Sequence, residues 1–283
     1  MTPVNMNKIL LALQYCPHDE EQAWDLAHAI AEIEDGVSLF ADILLWRRFD
    51  CPAPTQEQLK PLRQKFEKVH LGITHNVVTG WPAGCNCQWW ELASHVYRQA
   101  TKGVWNYDGV FCFEADCVPL AKDWIAKIYT EWQQSQPCAI MGDWHTPPRA
   151  AEHVNGNMVF HPLLVGMFKS SMRLPVGAGG WDMVLWRKFK PHAKASRYIY
   201  SRYRSSDISW GVMSKPRHTT KGHPFHPETF HPVFLHGVKT RKELKIALDK
   251  IKGVDNQPQP IQELPETATY QPAPQGQTQD AIG

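Results

Sequence analysis

The sequence has no apolar run approaching the roughly 20 residues that a membrane-spanning helix needs. It has no excess of one charge: 30 Lys and Arg stand against 28 Asp and Glu, a formal net charge of +2. A globally basic coat for nucleic acid is therefore excluded, although a local patch is not. No second Cys pair accompanies Cys85 and Cys87 at zinc-finger spacing, so structural zinc is not expected. The seven Cys are odd in number, which excludes complete pairing within the chain. The N-terminal residues lack the basic flank and small-residue cleavage site of a secretory signal. A reduced, cytoplasmic protein with buried thiols is the expectation. There is no repeat at solenoid spacing.

What is present is a chain of 283 residues, 43% apolar and 20% charged, which suffices for a sizeable core. The 12 Trp, 14 His and 22 Pro suit a loop-rich fold with aromatic pockets better than a helical bundle. Residues 253–283 hold seven Gln and five Pro with few large apolar side chains. Such a segment cannot bury enough surface to offset its ordering entropy. The expected organisation is one domain over 1–252 and a flexible Gln/Pro-rich tail over 253–283.

Up to residue 113 the chain alternates strand-like and helix-like segments. The apolar run 8–14 (KILLALQ) predicts a buried strand, and the acids Asp19, Glu20 and Glu21 open a helix, matching its dipole. A second strand is expected over 37–45, a helix capped by Thr55 over 55–68, and a third strand over 69–74. A Gly/Pro loop then leads to a helix over 88–101 and a fourth strand over 107–113. This order predicts an α/β fold with a mixed, mostly parallel, Rossmann-type sheet between helices. Ligands of such sheets bind beyond the carboxyl ends of the strands.

The run 108–119 (DGVFCFEADCVP) places Glu114 and Asp116 on one side of the chain at such a strand end. Neighbouring carboxylates repel one another unless a cation stands near them. An ordinary solvated turn is the competing reading.

In this order of elements the chain resembles the GT-A glycosyltransferases, whose fourth strand ends in a D-x-D motif that holds Mn²⁺ or Mg²⁺ against a sugar nucleotide. Glu114-Ala115-Asp116 stands at the equivalent place, with Glu for the first acid. Four further segments follow in the family's order: 80–86 (GWPAGCN), 153–160 (HVNGNMVF), 176–182 (VGAGGWD) and 234–239 (FLHGVK). The resemblance implies a nucleotide-sugar donor, preferably UDP-linked. It implies cation ligands at Asp116, His236 and Glu114, and donor contacts from Gln14, Gly84, Asn86, Glu114 and Lys239. Asn155, Asn157, Gly180 and Trp181 would lie near the sugars, Trp181 by stacking on a ring. Asp182 is the candidate base for the acceptor hydroxyl, with a helix cap as the competing reading. Of the five His from His218 to His236, only His236 follows an apolar run and precedes Gly-x-Lys.

No acid lies between Asp182 and Asp207, where Arg187, Lys188, Lys190, Lys194, Arg197, Arg202 and Arg204 interleave with Trp186, Phe189, Tyr198, Tyr200 and Tyr203. Cations with aromatic rings suit a nucleic-acid groove, against a solvated helix face with core aromatics. Bacteriophage-type enzymes that glycosylate hydroxymethylpyrimidines in DNA are similar in type. On that resemblance the acceptor is expected to be DNA, bound through residues 183–206, notably Arg197, Arg202 and Arg204, in the host cytoplasm if the chain is viral. The alternatives are a glycan or lipopolysaccharide precursor as acceptor, or a non-catalytic binding protein.

Overall fold

The computed structural model describes residues 8–34, 39–145, 153–168, 179–201, 233–238 and 240–252. The elements begin with β1 (Lys8–Tyr15), α1 (Glu20–Ile33), β2 (Ala41–Arg47), α2 (Gln56–Lys65), β3 (Val69–Ile73), α3 (Ala83–Thr101) and β4 (Tyr107–Glu114). There follow β5 (Cys117–Pro119), α4 (Trp124–Gln134), β6 (Ile140–His145), β7 (His153–Phe160), α5 (Leu164–Met167) and α6 (Trp181–Phe189). Last come β8 (Ala193–Ala195), β9 (Ile199–Ser201), β10 (Phe234–His236) and α7 (Arg241–Ile251).

A seven-stranded sheet has the order β3-β2-β1-β4-β7-β6-β8, and a three-stranded sheet the order β5-β10-β9. The first four strands pair in parallel, β7 runs antiparallel to β4 and β6, and β8 is parallel to β6. The expected α/β architecture with a mostly parallel sheet is what the chain forms.

Strand β1 is apolar from Ile9 to Leu13 because both of its faces are covered, as in other buried parallel strands. Ile9, Leu11, Leu13 and Tyr15 enter one core with α1, α2, α4 and α7, whereas Leu10 and Ala12 enter the other with α3 and α6. Each fully buried large side chain contributes about 1.5–3 kcal/mol.

Boundaries differ from expectation where distant contacts decide them. Strand β2 lies later than 37–45 because Trp46 and Arg47 continue its pairing opposite Gln14 and Tyr15. Gly72 makes room there: a Cβ at this position would lie 2.4 Å or less from two atoms of the Trp46 ring. Helix α3 starts at Ala83, five residues early, and the backbone of Thr79 passes so close to Gly84 that a Cβ would lie 2.8 Å from it. Helix α2 ends at Lys65, and Thr55 caps it as expected, in a reciprocal capping box with Gln58.

All seven Cys are free thiols; five are buried, Cys16 is half-buried, and Cys85 departs from the expectation by being exposed. Among the described residues no helix is long and apolar enough to cross a membrane. The tail 253–283 lies outside the described residues.

Candidate functional site

Beyond the ladder of β4, burial alternates residue by residue. Ala115 and Cys117 are fully buried, Asp116 is half-buried and Glu114 is exposed. The inward pair anchors the turn, so the outward pair projects both carboxylates from the carboxyl end of a central strand. The third group arrives from far along the chain. Strand β10 pairs antiparallel with β5, setting Phe234 opposite Pro119 and His236 opposite Cys117. Phe234 packs at 4.9 Å from Phe111 and 4.8 Å from Trp124, between ring centroids. His236, two residues on and on the same face, reaches the rim.

The Asp116 carbonyl accepts N–H groups from Gly237 at 2.9 Å and Val238 at 2.8 Å. Gly237 has φ 98°, a conformation that a side chain would strain. His236 Nε2 lies 3.3 Å from Asp116 Oδ1 and 3.6 Å from Glu114 Oε2. One ligand atom from each of the three residues falls within 4.8 Å of the others. Two carboxylates and an imidazole suit Mn²⁺, and also Mg²⁺, with positions left for phosphate oxygens and water.

In the sequence Asp19 presents itself only as a helix-opening acid. It closes the β1–α1 turn by accepting the Cys16 N–H at 2.7 Å. Burial raises its carboxyl above the usual range, and the charge of Asp116 raises it further, so it belongs to the electrostatics of the site. No local pattern announces this, since Asp19 and Asp116 meet only through the β1–β4 pairing.

Strand β7 runs behind the acidic turn. Asn157, 1% exposed, accepts the Glu114 N–H at 2.9 Å and the Cys117 thiol at 3.2 Å through Oδ1. Its Nδ2 donates to Asn155 Oδ1 at 2.8 Å. Next to it, the Gly156 N–H donates to Asp182 Oδ2 at 3.1 Å, and buried His153 lies 3.9 Å from the same oxygen. Asp182 Oδ1 accepts the Met183 N–H at 2.9 Å, so the carboxylate does serve the start of α6. Gly180 leaves space for it, because a Cβ there would lie 2.6 Å from Oδ1.

Several expected ligand contacts are engaged within the protein. Asn86 is fully buried; it donates to the Gly179 carbonyl at 3.1 Å and accepts the Trp181 N–H at 2.7 Å. Gly84 is packed against its own preceding loop. Gln14, 9% exposed and in register with Glu114, donates to Cys112 Sγ at 2.9 Å.

Trp181 does not present its ring to a sugar. It is 6% exposed and stacks on Trp89 with centroids 3.7 Å apart and planes 7° from parallel. Burial of a large aromatic surface outweighs what an exposed platform would gain. The basic stretch changes in the same way. Trp186 and Phe189 are buried, while Tyr198 and Tyr200 pack against the core, so these four described rings form no base-stacking row; Tyr203 lies outside the described residues. Arg197 bonds buried Glu131 through its backbone N–H at 2.8 Å and its Nε at 3.3 Å. Arg187, Lys188, Lys190 and Lys194 lie on the surface. Lys239, Arg202, Arg204 and the four His from His218 to His231 lie outside the described residues.

No protein-family model matches the sequence, and comparison with curated proteins gives no match. Solved structures do resemble it. The bifunctional glycosyltransferase WbbM matches with TM-score 0.52 and 10% identity over 91% of this chain, which spans only 51% of the WbbM chain. An active-site mutant of LgtC matches with TM-score 0.51 and 10% identity over 87% of this chain and 95% of its own. The chain thus has a mixed α/β fold similar to that of GT-A glycosyltransferases such as LgtC.

Proposed function

We propose that this chain is a glycosyltransferase that moves a sugar from a nucleotide-sugar donor, preferably UDP-linked, to an acceptor hydroxyl. The observation that carries the reading is the convergence of Glu114, Asp116 and His236 at the carboxyl end of the central strands. These residues would hold Mn²⁺ or Mg²⁺, which supplies positive charge against the departing nucleoside diphosphate. His236 is fixed by β5–β10 pairing and Asp116 by the Gly237 and Val238 N–H groups on its carbonyl, while the more exposed Glu114 would close the open side. Lys239, close behind His236 in the chain, would add a point charge towards the diphosphate.

On the acceptor side, Asp182 would take the proton of the attacking hydroxyl. Its two hydrogen bonds from backbone N–H groups fix the direction of the carboxylate. A single displacement with this base inverts the anomeric centre. Asn86, Gly84 and Gly180 would shape the donor pocket through the backbone they position, and Asn155 would face the sugar from β7. Gln14 would close the floor of that pocket beside Glu114.

A second reading of the acceptor rests on the exposed cations Arg187, Lys188, Lys190 and Lys194, which would suit a polyanion such as hydroxymethylpyrimidine DNA. The test is release of UDP from a panel of UDP-sugars with Mn²⁺, then transfer to such DNA and to glycan acceptors in parallel. Cation-dependent release that is abolished by Asp116→Ala supports the enzyme; equal release by that variant removes the cation site. Transfer to DNA that falls steeply with salt supports the polyanion, and transfer to glycans alone removes it.

A further inference from the structure

We infer that Asn157 is the positioning residue of the cation site, holding the turn that carries Glu114 and Asp116 in its ligating shape. This rests on the cation reading proposed above and adds a determinant of affinity that does not touch the ion.

The need for a brace follows from the charges. Glu114 and Asp116 project side by side, and their mutual repulsion favours a splayed turn in the absence of a cation. Pairing with β1 reaches Glu114, and Gly237 and Val238 hold the Asp116 carbonyl, but on the β7 side ladder pairing does not oppose this. The β4–β7 ladder runs through Val110, Phe111 and Cys112, opposite Phe160, Val159 and Met158, and there it stops. Continued in register, it would set Gly156 opposite Glu114. Instead the two backbone N–H groups go separate ways: that of Gly156 to Asp182, that of Glu114 to the side chain of Asn157.

One side-chain oxygen thus replaces a lost rung and does more. Asn157 Oδ1 accepts both the Glu114 N–H, where the turn begins, and the Cys117 thiol, where it ends. The two carboxylates are carried on a loop whose ends meet at a single buried atom. The direction of the amide is set by Asn155, whose Oδ1 accepts Nδ2 of Asn157 at 2.8 Å and its backbone N–H at 3.0 Å. With Nδ2 committed to Asn155, the oxygen faces the turn. Groups that orient metal ligands in this way commonly govern affinity by about 10–100-fold.

The test titrates Mn²⁺ into the full chain without donor and reads free Mn²⁺ by electron paramagnetic resonance, with thermal melts beside it. Asn157→Leu keeps the approximate volume but offers no acceptor, and Asn157→Ala removes both. Each is expected to weaken Mn²⁺ binding by about 10–100-fold while the protein stays folded at the temperature of titration. Asn155→Ala, which only frees the amide to turn, is expected to fall between them and the wild type, and it carries the test if the Asn157 variants do not fold. Wild-type affinity in both Asn157→Leu and Asn155→Ala overturns the inference while leaving the cation site standing. A wild-type protein that binds no Mn²⁺, or an Asp116→Ala variant that binds it equally well, overturns the cation reading and the inference with it.

Discussion

Asp182 accepts the backbone N–H of Gly156 at 3.1 Å, one residue from the side chain that grips the acidic turn. The short segment Asn155, Gly156, Asn157 therefore touches both halves of the proposed chemistry: the base through its backbone, the cation ligands through a side chain.

Asp182→Asn keeps an oxygen that can accept the Gly156 N–H, so the melting temperature should change little. It removes the proton acceptor, and transfer should fall by about 10²–10⁴-fold. UDP affinity, measured by calorimetry, should stay near wild type. A variant with normal turnover would remove Asp182 from the chemistry and leave it as the first-turn partner of α6.

Gly237→Ala should be costly for two reasons. A side chain at φ 98° is strained by about 1–3 kcal/mol. The N–H of the same residue holds the Asp116 carbonyl, so relaxing the strain would move a proposed ligand. Urea unfolding should register the first effect and Mn²⁺ titration the second. Loss of stability without loss of affinity would separate the turn from the site.

Trp181→Ala opens a cavity beside Trp89 and should destabilise the fold by about 3–5 kcal/mol. Trp181→Phe keeps a ring in the stack and should retain most transfer activity, with an unchanged Michaelis constant for the donor. A Michaelis constant that rises steeply in the Phe variant would restore a sugar-facing role to this side chain.

Arg197→Ala tests why the most prominent cation of the basic stretch is there. Burial raises the Glu131 carboxyl above the usual range, against the pull of Ser196 and Arg197. The folded state therefore holds this proton more tightly than the unfolded state, and ionising Glu131 costs stability as pH rises. Removing Arg197 enlarges that cost. Because Arg197 is 40% exposed, solvent screens the pair and the expected loss is about 1–2 kcal/mol at pH 7. The loss should shrink as pH falls through the raised Glu131 value, where the carboxyl becomes neutral in both proteins. Urea midpoints at pH 7 and pH 5 measure the difference.

The parts of the fold legible in the sequence are those fixed by near neighbours. The apolar run of β1, the Thr55 cap of α2 and the strand-to-turn passage at Glu114 and Asp116 announce themselves locally. The order of short motifs then led to the right fold. Residues whose meaning is set at a distance were not legible. Trp181 looks like a sugar platform until Trp89 covers it. Arg197 looks like a phosphate contact until Glu131, buried on α4, claims it. Asn157 looks like a ligand contact, and Asp19 a helix-opening acid, until β7 and β1 settle beside β4. In each case a polar or aromatic side chain found its partner within the protein, a choice made by burial rather than by local pattern.

Strand β10 has an implication for how the molecule would respond to the proposed cation. The three-residue strand seats Phe234 among Phe111, Phe113 and Trp124 and, two positions later, delivers the imidazole of the acidic cluster. Core and ligand are thus set in one mechanical train. An ion held by the proposed site would stabilise the folded chain in proportion to the logarithm of its concentration. Heat resistance would then follow metal supply, and a cell short of the metal would hold a looser, more protease-sensitive form of the same polypeptide.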